Sequence, residues 1–139
     1  MSGTASIAPD VEPARVGQRA LWLPGLAFAA EGAAAATVVA AVADAAGVSL
    51  EIAGERIPLL GFTQLALVFS VVGVALAAAF RRWSGRPARM FVRTTAALVA
   101  VSLLPDLLVP DVDAVTRVTL IVSHIAVAAI VIPGLRSRL

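Results

Sequence analysis

Two side chains within otherwise apolar stretches have the chemistry to exchange protons. Glu31 and His124 each lie twelve residues from an arginine near the end of their stretch, Arg19 and Arg136 respectively. At about 1.5 Å of rise per helical residue, both lie roughly 18 Å from that end. On neighbouring helices they would share one depth, so the sequence predicts a Glu31–His124 pair. Such a pair suits a proton-responsive or ligand-binding site, and the alternative is a buried contact that fixes helix register.

A second pair of opposite charges flanks the turn between the third and fourth apolar stretches. Asp106 lies four residues before Pro110, and Arg117 lies four residues after Asp113, which we expect to be the N-cap of the fourth helix. Because the two arms of this hairpin are equally long, the charges come level with each other. The sequence therefore predicts a structural ion pair, Asp106–Arg117, that clamps the two arms together.

Weaker polar groups recur at seven-residue spacing, which returns nearly to the same face of a helix. Thr63 and Ser70 share a face of the second stretch, and Thr95 and Ser102 share a face of the third. If these faces point inward, they form a polar lining. The alternative is that each hydroxyl bonds to a carbonyl of its own helix, as serine and threonine often do.

Composition excludes several kinds of chemistry. The chain has no cysteine and a single histidine, so one chain cannot supply a multi-histidine or thiolate metal site. Phosphate-binding loops, hydrolase motifs and a basic surface interleaved with aromatic residues are also lacking. The sequence predicts no metal, no cofactor, no nucleic-acid partner and no enzymatic reaction.

The elements that carry these residues are apolar and long. Hydrophobic residues make up 60% of the 139 positions and charged residues 14%, whereas soluble domains have about half and a quarter. Each stretch approaches the roughly 20 residues that a helix needs to cross a bilayer. We therefore expect an all-α integral membrane four-helix bundle, forming one domain over 19–139 after a disordered cytoplasmic tail at 1–18. The expected spans are 20–46, 58–80, 90–109 and 114–133, the last of them ended by Pro133-Gly134.

Arginine placement predicts the orientation of the bundle. Nine of the eleven arginines fall on the side that holds both termini, and only Arg56 and Arg117 fall on the other. The positive-inside rule therefore places both termini in the cytoplasm. Arginine without lysine, together with abundant alanine and valine, suggests a GC-rich bacterial genome, so we expect the membrane to be a bacterial plasma membrane. A cleaved signal peptide is the alternative for the first span, but its length and Glu31 favour a retained helix.

Three short motifs carry a resemblance to a known family. They are Ser102-Leu-Leu-Pro-Asp106, the stretch that begins at Ser123-His124, and Ile132-Pro133-Gly134-Leu135. Together they resemble a family of small four-span actinobacterial membrane proteins classed as a domain of unknown function. The resemblance covers about Arg19 to Leu135. It implies a four-helix bundle in an actinobacterial plasma membrane, and it implies no activity.

Three functions fit these features. The first is a non-enzymatic binding or accessory bundle that associates in the bilayer with copies of itself or with another membrane protein. The second is a small proton-linked carrier of lipophilic or cationic compounds, because Glu31 is similar in position to the essential glutamate of small multidrug transporters. The chain lacks tyrosine, however, and the aromatic residues that those transporters use. The third is a membrane enzyme acting on lipid or quinone. A pocket reaching both Glu31 and His124 would favour the carrier.

Overall fold

The computed structural model describes residues 13–139, with side chains described from Arg19 onward. These residues form four helices and one two-stranded sheet. All four helices are long and apolar enough to cross a membrane, which confirms the predicted all-α four-helix bundle. The elements are α1 (Pro13–Ala45), β1 (Glu51–Ile52), β2 (Glu55–Arg56), α2 (Leu59–Trp83), α3 (Pro87–Leu108) and α4 (Ala114–Arg136).

The helices extend three or more residues beyond the predicted spans at four ends: the start of α1, the end of α2, the start of α3 and the end of α4. α1 begins at Pro13, so 13–18, which we expected in the disordered tail, are helical. The rest of that tail, 1–12, lies outside the described residues. α4 continues through Pro133 and Gly134 to Arg136, although that dipeptide was expected to end it. A proline removes one helical hydrogen bond, and a helix packed among others in lipid tolerates that loss.

Close helix packing centres on α1, which contacts α2 and α4 far more extensively than α3 contacts any helix. Small residues make this possible. A Cβ added to Gly32 would lie 2.9 Å from a methyl carbon of Val131, and one added to Gly134 would lie 2.7 Å from the ring of Phe28. The α1 helix therefore packs directly on α4 with almost no intervening side chain. The alanines of α1 that face this core are Ala29, Ala33, Ala36 and Ala40.

The bundle has two distinct ends. At the arginine-rich end, Arg81 of α2 donates a hydrogen bond to the carbonyl of Arg138 and reaches close to Gly17, so the first turns of α1 lie near the residues that follow α4. At the opposite end, which we call the hairpin end, β1 pairs with β2 in an antiparallel hairpin. Leu50 before this hairpin is fully buried against Ala40 and Phe62, so the connection closes the end of the bundle.

Candidate functional site

Asp106 and His124 meet between α3 and α4. Nδ1 of His124 lies 3.0 Å from Oδ2 of Asp106. The same nitrogen hydrogen-bonds to the carbonyl of Leu120, also at 3.0 Å, so its N–H points along its own helix and only sideways at the carboxylate. Oδ2 of Asp106 is buried and has no well-aligned hydrogen-bond partner among the described residues. The pair is therefore a close electrostatic contact that leaves one carboxylate oxygen unsatisfied.

The direction in which helical side chains lean explains this pairing. Every side chain of an α-helix tilts toward the N-terminus of its helix. In an antiparallel hairpin, Asp106 on α3 therefore leans away from the turn, whereas His124 on α4 leans toward it. His124 lies ten residues after Ala114, deeper than Asp106 along the bundle, and the two opposed tilts close the gap.

Glu31 lies elsewhere, which corrects the predicted Glu31–His124 pair. Its side chain is exposed on the outside of the bundle, while Gly32 next to it faces the core. A Cβ at Gly32 would touch Val131 and Val127 of α4 and lie 3.6 Å from Oγ of Ser70 in the middle of α2. Glu31 is thus at mid-depth, as expected. It points outward because the packed face of α1 is made of the glycine and alanines beside it.

Arg117 lies level with Asp106, as expected, but the predicted Asp106–Arg117 ion pair does not form among the described side chains. The guanidinium instead donates to main-chain carbonyls at the end of α3: Asp106 at 2.8 Å, Val109 at 3.0 Å, and Leu107. The carbonyl of Asp106 would normally accept from the residue four positions later, which is Pro110 and has no N–H. Arg117 leans toward the turn, away from the Asp106 carboxyl, and supplies the missing donor.

The four residues of the predicted polar lining divide into two groups. Thr63 contacts the hydroxyl of Thr37 at 2.5 Å, which links α2 to α1, and Ser70 is buried with its hydroxyl unpartnered among the described residues. Thr95 and Ser102 donate to carbonyls of their own helix at 2.8 Å each. The hydroxyls of α3 therefore satisfy themselves locally, as the alternative interpretation expected.

A polar cluster at the hairpin end joins α4 to the connection after α1. Asp113, expected as the N-cap of α4, is confirmed in that role: its carboxylate accepts from the N–H groups of Val115 and Thr116. It also accepts from the hydroxyls of Thr116 and Ser49. The hydrogen bond from the Thr116 hydroxyl is the main reason that the pKa of Asp113 falls to about 2. The part played by Ser49 was missed, because nothing in its local sequence connects it to a residue 64 positions away.

The described polar side chains between α3 and α4 include a carboxylate, an imidazole and a guanidinium. No three histidine, cysteine or carboxylate side chains come together within 13–139 in a way that could hold a metal ion. Asp106 and His124 form a carboxylate–imidazole contact beside the guanidinium of Arg117, between the loosely packed helix α3 and the core helix α4.

Comparison with known proteins identifies a family without assigning an activity. Residues 16–139 match a family described as a family of unknown function (DUF6069). The match covers nearly the whole chain. It confirms the predicted resemblance to a family classed as a domain of unknown function. No curated protein and no solved structure matches the chain. The chain therefore belongs to the DUF6069 family of unknown function.

Proposed function

We propose that this chain is a non-enzymatic membrane binding protein that assembles with a second copy of itself through the outer face of α1. The observation that carries the proposal is the exposed position of Glu31 halfway along a membrane-spanning helix. A charged group facing hydrocarbon at that depth costs about 3 kcal/mol on insertion scales. Intramembrane carboxyls almost always face a partner, and within its own described chain Glu31 has none.

The surroundings of Glu31 fit a helix partner. Ala27, Ala30 and Ala34 are exposed on the same face, and Val38 continues it toward the hairpin end. Small side chains at three- and four-residue spacing let another helix approach closely. We call these residues, with Glu31, the outer face of α1.

A second copy satisfies this face better than an unrelated helix that carries only acceptors. Around a two-fold axis, identical residues meet, so Glu31 faces its counterpart. A protonated carboxyl both donates and accepts a hydrogen bond, so two such groups can satisfy each other. The alanines around them allow the backbones to come close enough for that contact.

The absence of cysteine allows a direct test. Single cysteines would be introduced at Ala34, on the outer face of α1, and at Leu98, which is 49% exposed on α3. We expect an oxidant to cross-link two copies of the A34C variant in native membranes. The L98C variant, expressed at the same level, should remain monomeric. Equal cross-linking at both positions would indicate random collision and contradict the interface.

The role of Glu31 is tested in the A34C background. Glu31→Gln keeps a group that donates and accepts, so we expect cross-linking to persist. Glu31→Leu removes the hydrogen bond, and an interhelical hydrogen bond of about 1–2 kcal/mol corresponds to a roughly 5- to 30-fold loss of association. Unchanged association in the leucine variant would remove Glu31 from the interface.

Proton-linked carriage is the second candidate function, and it rests on Asp106 rather than Glu31. The buried, unsatisfied Oδ2 atom of Asp106 beside His124 is the kind of group that takes up a proton when a helix moves. α3 buries only two side chains fully, Phe91 and Thr95, so it is the helix most free to shift. In proteoliposomes, this function requires proton flux that Asp106→Asn abolishes and Glu31→Gln preserves. Equal flux in Asp106→Asn and the parent would exclude it.

We also propose a bacterial plasma membrane as the location, with both termini in the cytoplasm. Apart from Arg56 and Arg117, the described arginines lie at the end of the bundle where α1 begins and α4 ends. By the positive-inside rule, this end faces the cytoplasm. A reporter fused after Leu139 that is active only in the cytoplasm would test this orientation.

A further inference from the structure

An open groove of about 650 Å³ lies at the arginine-rich end, between the start of α3 and the end of α4. Its volume falls within the range of small-molecule sites. Its lining residues are Ala88, Arg89, Val92, Arg93 and Arg136. The sequence alone did not bring these residues together, because the start of α3 and the end of α4 are far apart along the chain.

Positive charge in this groove is uncompensated by the described residues. Arg89 and Arg93 lie one helical turn apart, where like charges repel each other. Within 17–139, no carboxylate forms a salt bridge with either of them or with Arg136. The first turn of α3 also contains no acidic residue, so the positive end of that helix adds to the field, while the negative end of α4 at Arg136 offsets that contribution and leaves the charge of the three arginines. The groove therefore favours an anion.

The walls of the groove indicate which kind of anion fits. Ala88 and Val92 are half-buried and supply an apolar surface between the guanidinium groups. Arg93 lies six residues beyond Pro87, which places it about 9 Å along the helix. Trp83, at the end of α2, is 77% exposed. Because indole side chains prefer the membrane–water boundary, Trp83 indicates the level of that boundary. The groove thus runs from the headgroup region into the apolar layer.

From these features we propose that the groove binds an anionic phospholipid. Arg89, Arg93 and Arg136 hold the headgroup phosphate, and the acyl chain follows the wall formed by Val92. Guanidinium groups suit this role because they donate paired hydrogen bonds to phosphate oxygens. The proposal is independent of the self-association proposed for the outer face of α1, which lies on a different helix.

The test uses full-length protein in neutral detergent and measures lipid adducts by native mass spectrometry. The probes are phosphatidylglycerol, phosphatidylcholine and inorganic phosphate. The triple variant R89Q/R93Q/R136Q removes the groove charges. The triple variant R82Q/R86Q/R138Q removes the same charge from exposed residues at the same end, outside the groove. Helix content and elution volume of both variants confirm that they fold.

We expect the parent to bind phosphatidylglycerol at least tenfold more tightly than phosphatidylcholine. At about 1 kcal/mol for each basic residue near a lipid surface, the groove variant should lose roughly 100-fold in affinity for phosphatidylglycerol. The control variant should lose less than about threefold, and R93K should lose part of the affinity because lysine cannot make the bidentate contact. Equal losses in the two triple variants would overturn the proposal in favour of a diffuse charge effect. Phosphate binding as tight as lipid binding would overturn it in favour of a soluble anion.

Discussion

Nδ1 of His124 lies 3.0 Å from Oδ2 of Asp106, and this contact joins α3 to α4. Asp106 lies on the loosely packed helix α3, and His124 lies on α4, which forms part of the tight core with α1. The contact therefore couples a weakly held helix to a firmly held one.

Removing the imidazole should loosen that coupling. In His124→Leu, the carboxylate of Asp106 loses its nearest polar side chain and stays largely buried, so we expect the free energy of unfolding to fall by about 1–3 kcal/mol. Asp106→Asn leaves no charge to satisfy and should cost less. A double-mutant cycle read by thermal unfolding in detergent should give a coupling energy of about 0.6–1.7 kcal/mol. Additive effects of the two changes would mean that the contact contributes nothing.

Arg117 should be more important to α3 than any exposed arginine. Arg117→Ala leaves three carbonyls at the end of α3 without their donor, so we expect a loss of about 1–3 kcal/mol and faster amide exchange around residues 107–111. Arg117→Lys should recover part of this, because one ammonium cannot reach all three acceptors. Arg82→Ala, at an exposed position, should change stability by less than about 0.5 kcal/mol. Similar losses at Arg82 and Arg117 would contradict the capping role.

Gly134 should not tolerate a side chain. A Cβ there would lie 2.7 Å from the ring of Phe28, so Gly134→Ala should separate α4 from α1 at a cost of about 1–3 kcal/mol. Phe28→Leu in the same chain should restore part of the loss, because the smaller side chain leaves room for the methyl group. Gly85→Ala is the matched control, since nothing lies within 4 Å of its Cβ position. A stable Gly134→Ala variant would show that the two helices are not in close contact.

Acid should weaken the hairpin end through Asp113. Its pKa is lowered from 3.8 to about 2, chiefly by the hydroxyl of Thr116, so the folded chain binds this proton less tightly than the unfolded chain. The stability that it contributes is therefore complete above about pH 4 and is lost as the pH falls through 2. Asp113→Asn keeps a good N-cap but does not titrate, so its melting temperature should depend less on pH between 5 and 2. Identical pH profiles for the parent and Asp113→Asn would show that Asp113 does not cause the loss of stability in acid.

The course of the chain through the bundle was predictable because it depends on local composition. Long apolar stretches, arginine clusters and the Asp113 cap are each read within a few residues, and the predicted helices agree with the observed ones apart from their ends. α1 extends back to Pro13 although its first residues are polar, since a helix can continue into water where apolarity no longer marks it.

The side-chain pairs were harder to predict because depth along a helix does not determine direction around it. Glu31 has the expected depth, but the small residues beside it pack inward and turn it outward. Asp106 and Arg117 are level, but their side chains lean apart, and the tilt of His124 brings it to Asp106 instead. Applying that tilt to the predicted hairpin would have favoured the observed partner. No local rule indicates which face of α1 meets α4, because that depends on how all the helices pack.

The close packing of α1 on α4 has a consequence for biosynthesis. Among the described helices, α1 and α4 form one of the two main interfaces, so this core is complete only after α4 has left the ribosome. Before α4 is inserted, α1 can already pack against α2. α3 contacts the other helices only weakly, so it is not held firmly in the bundle at that stage. In a chain that stalls before α4, the face of α1 that contains Gly32 would stay exposed to unrelated helices. Quality-control proteases could recognise the incomplete chain by this exposed face.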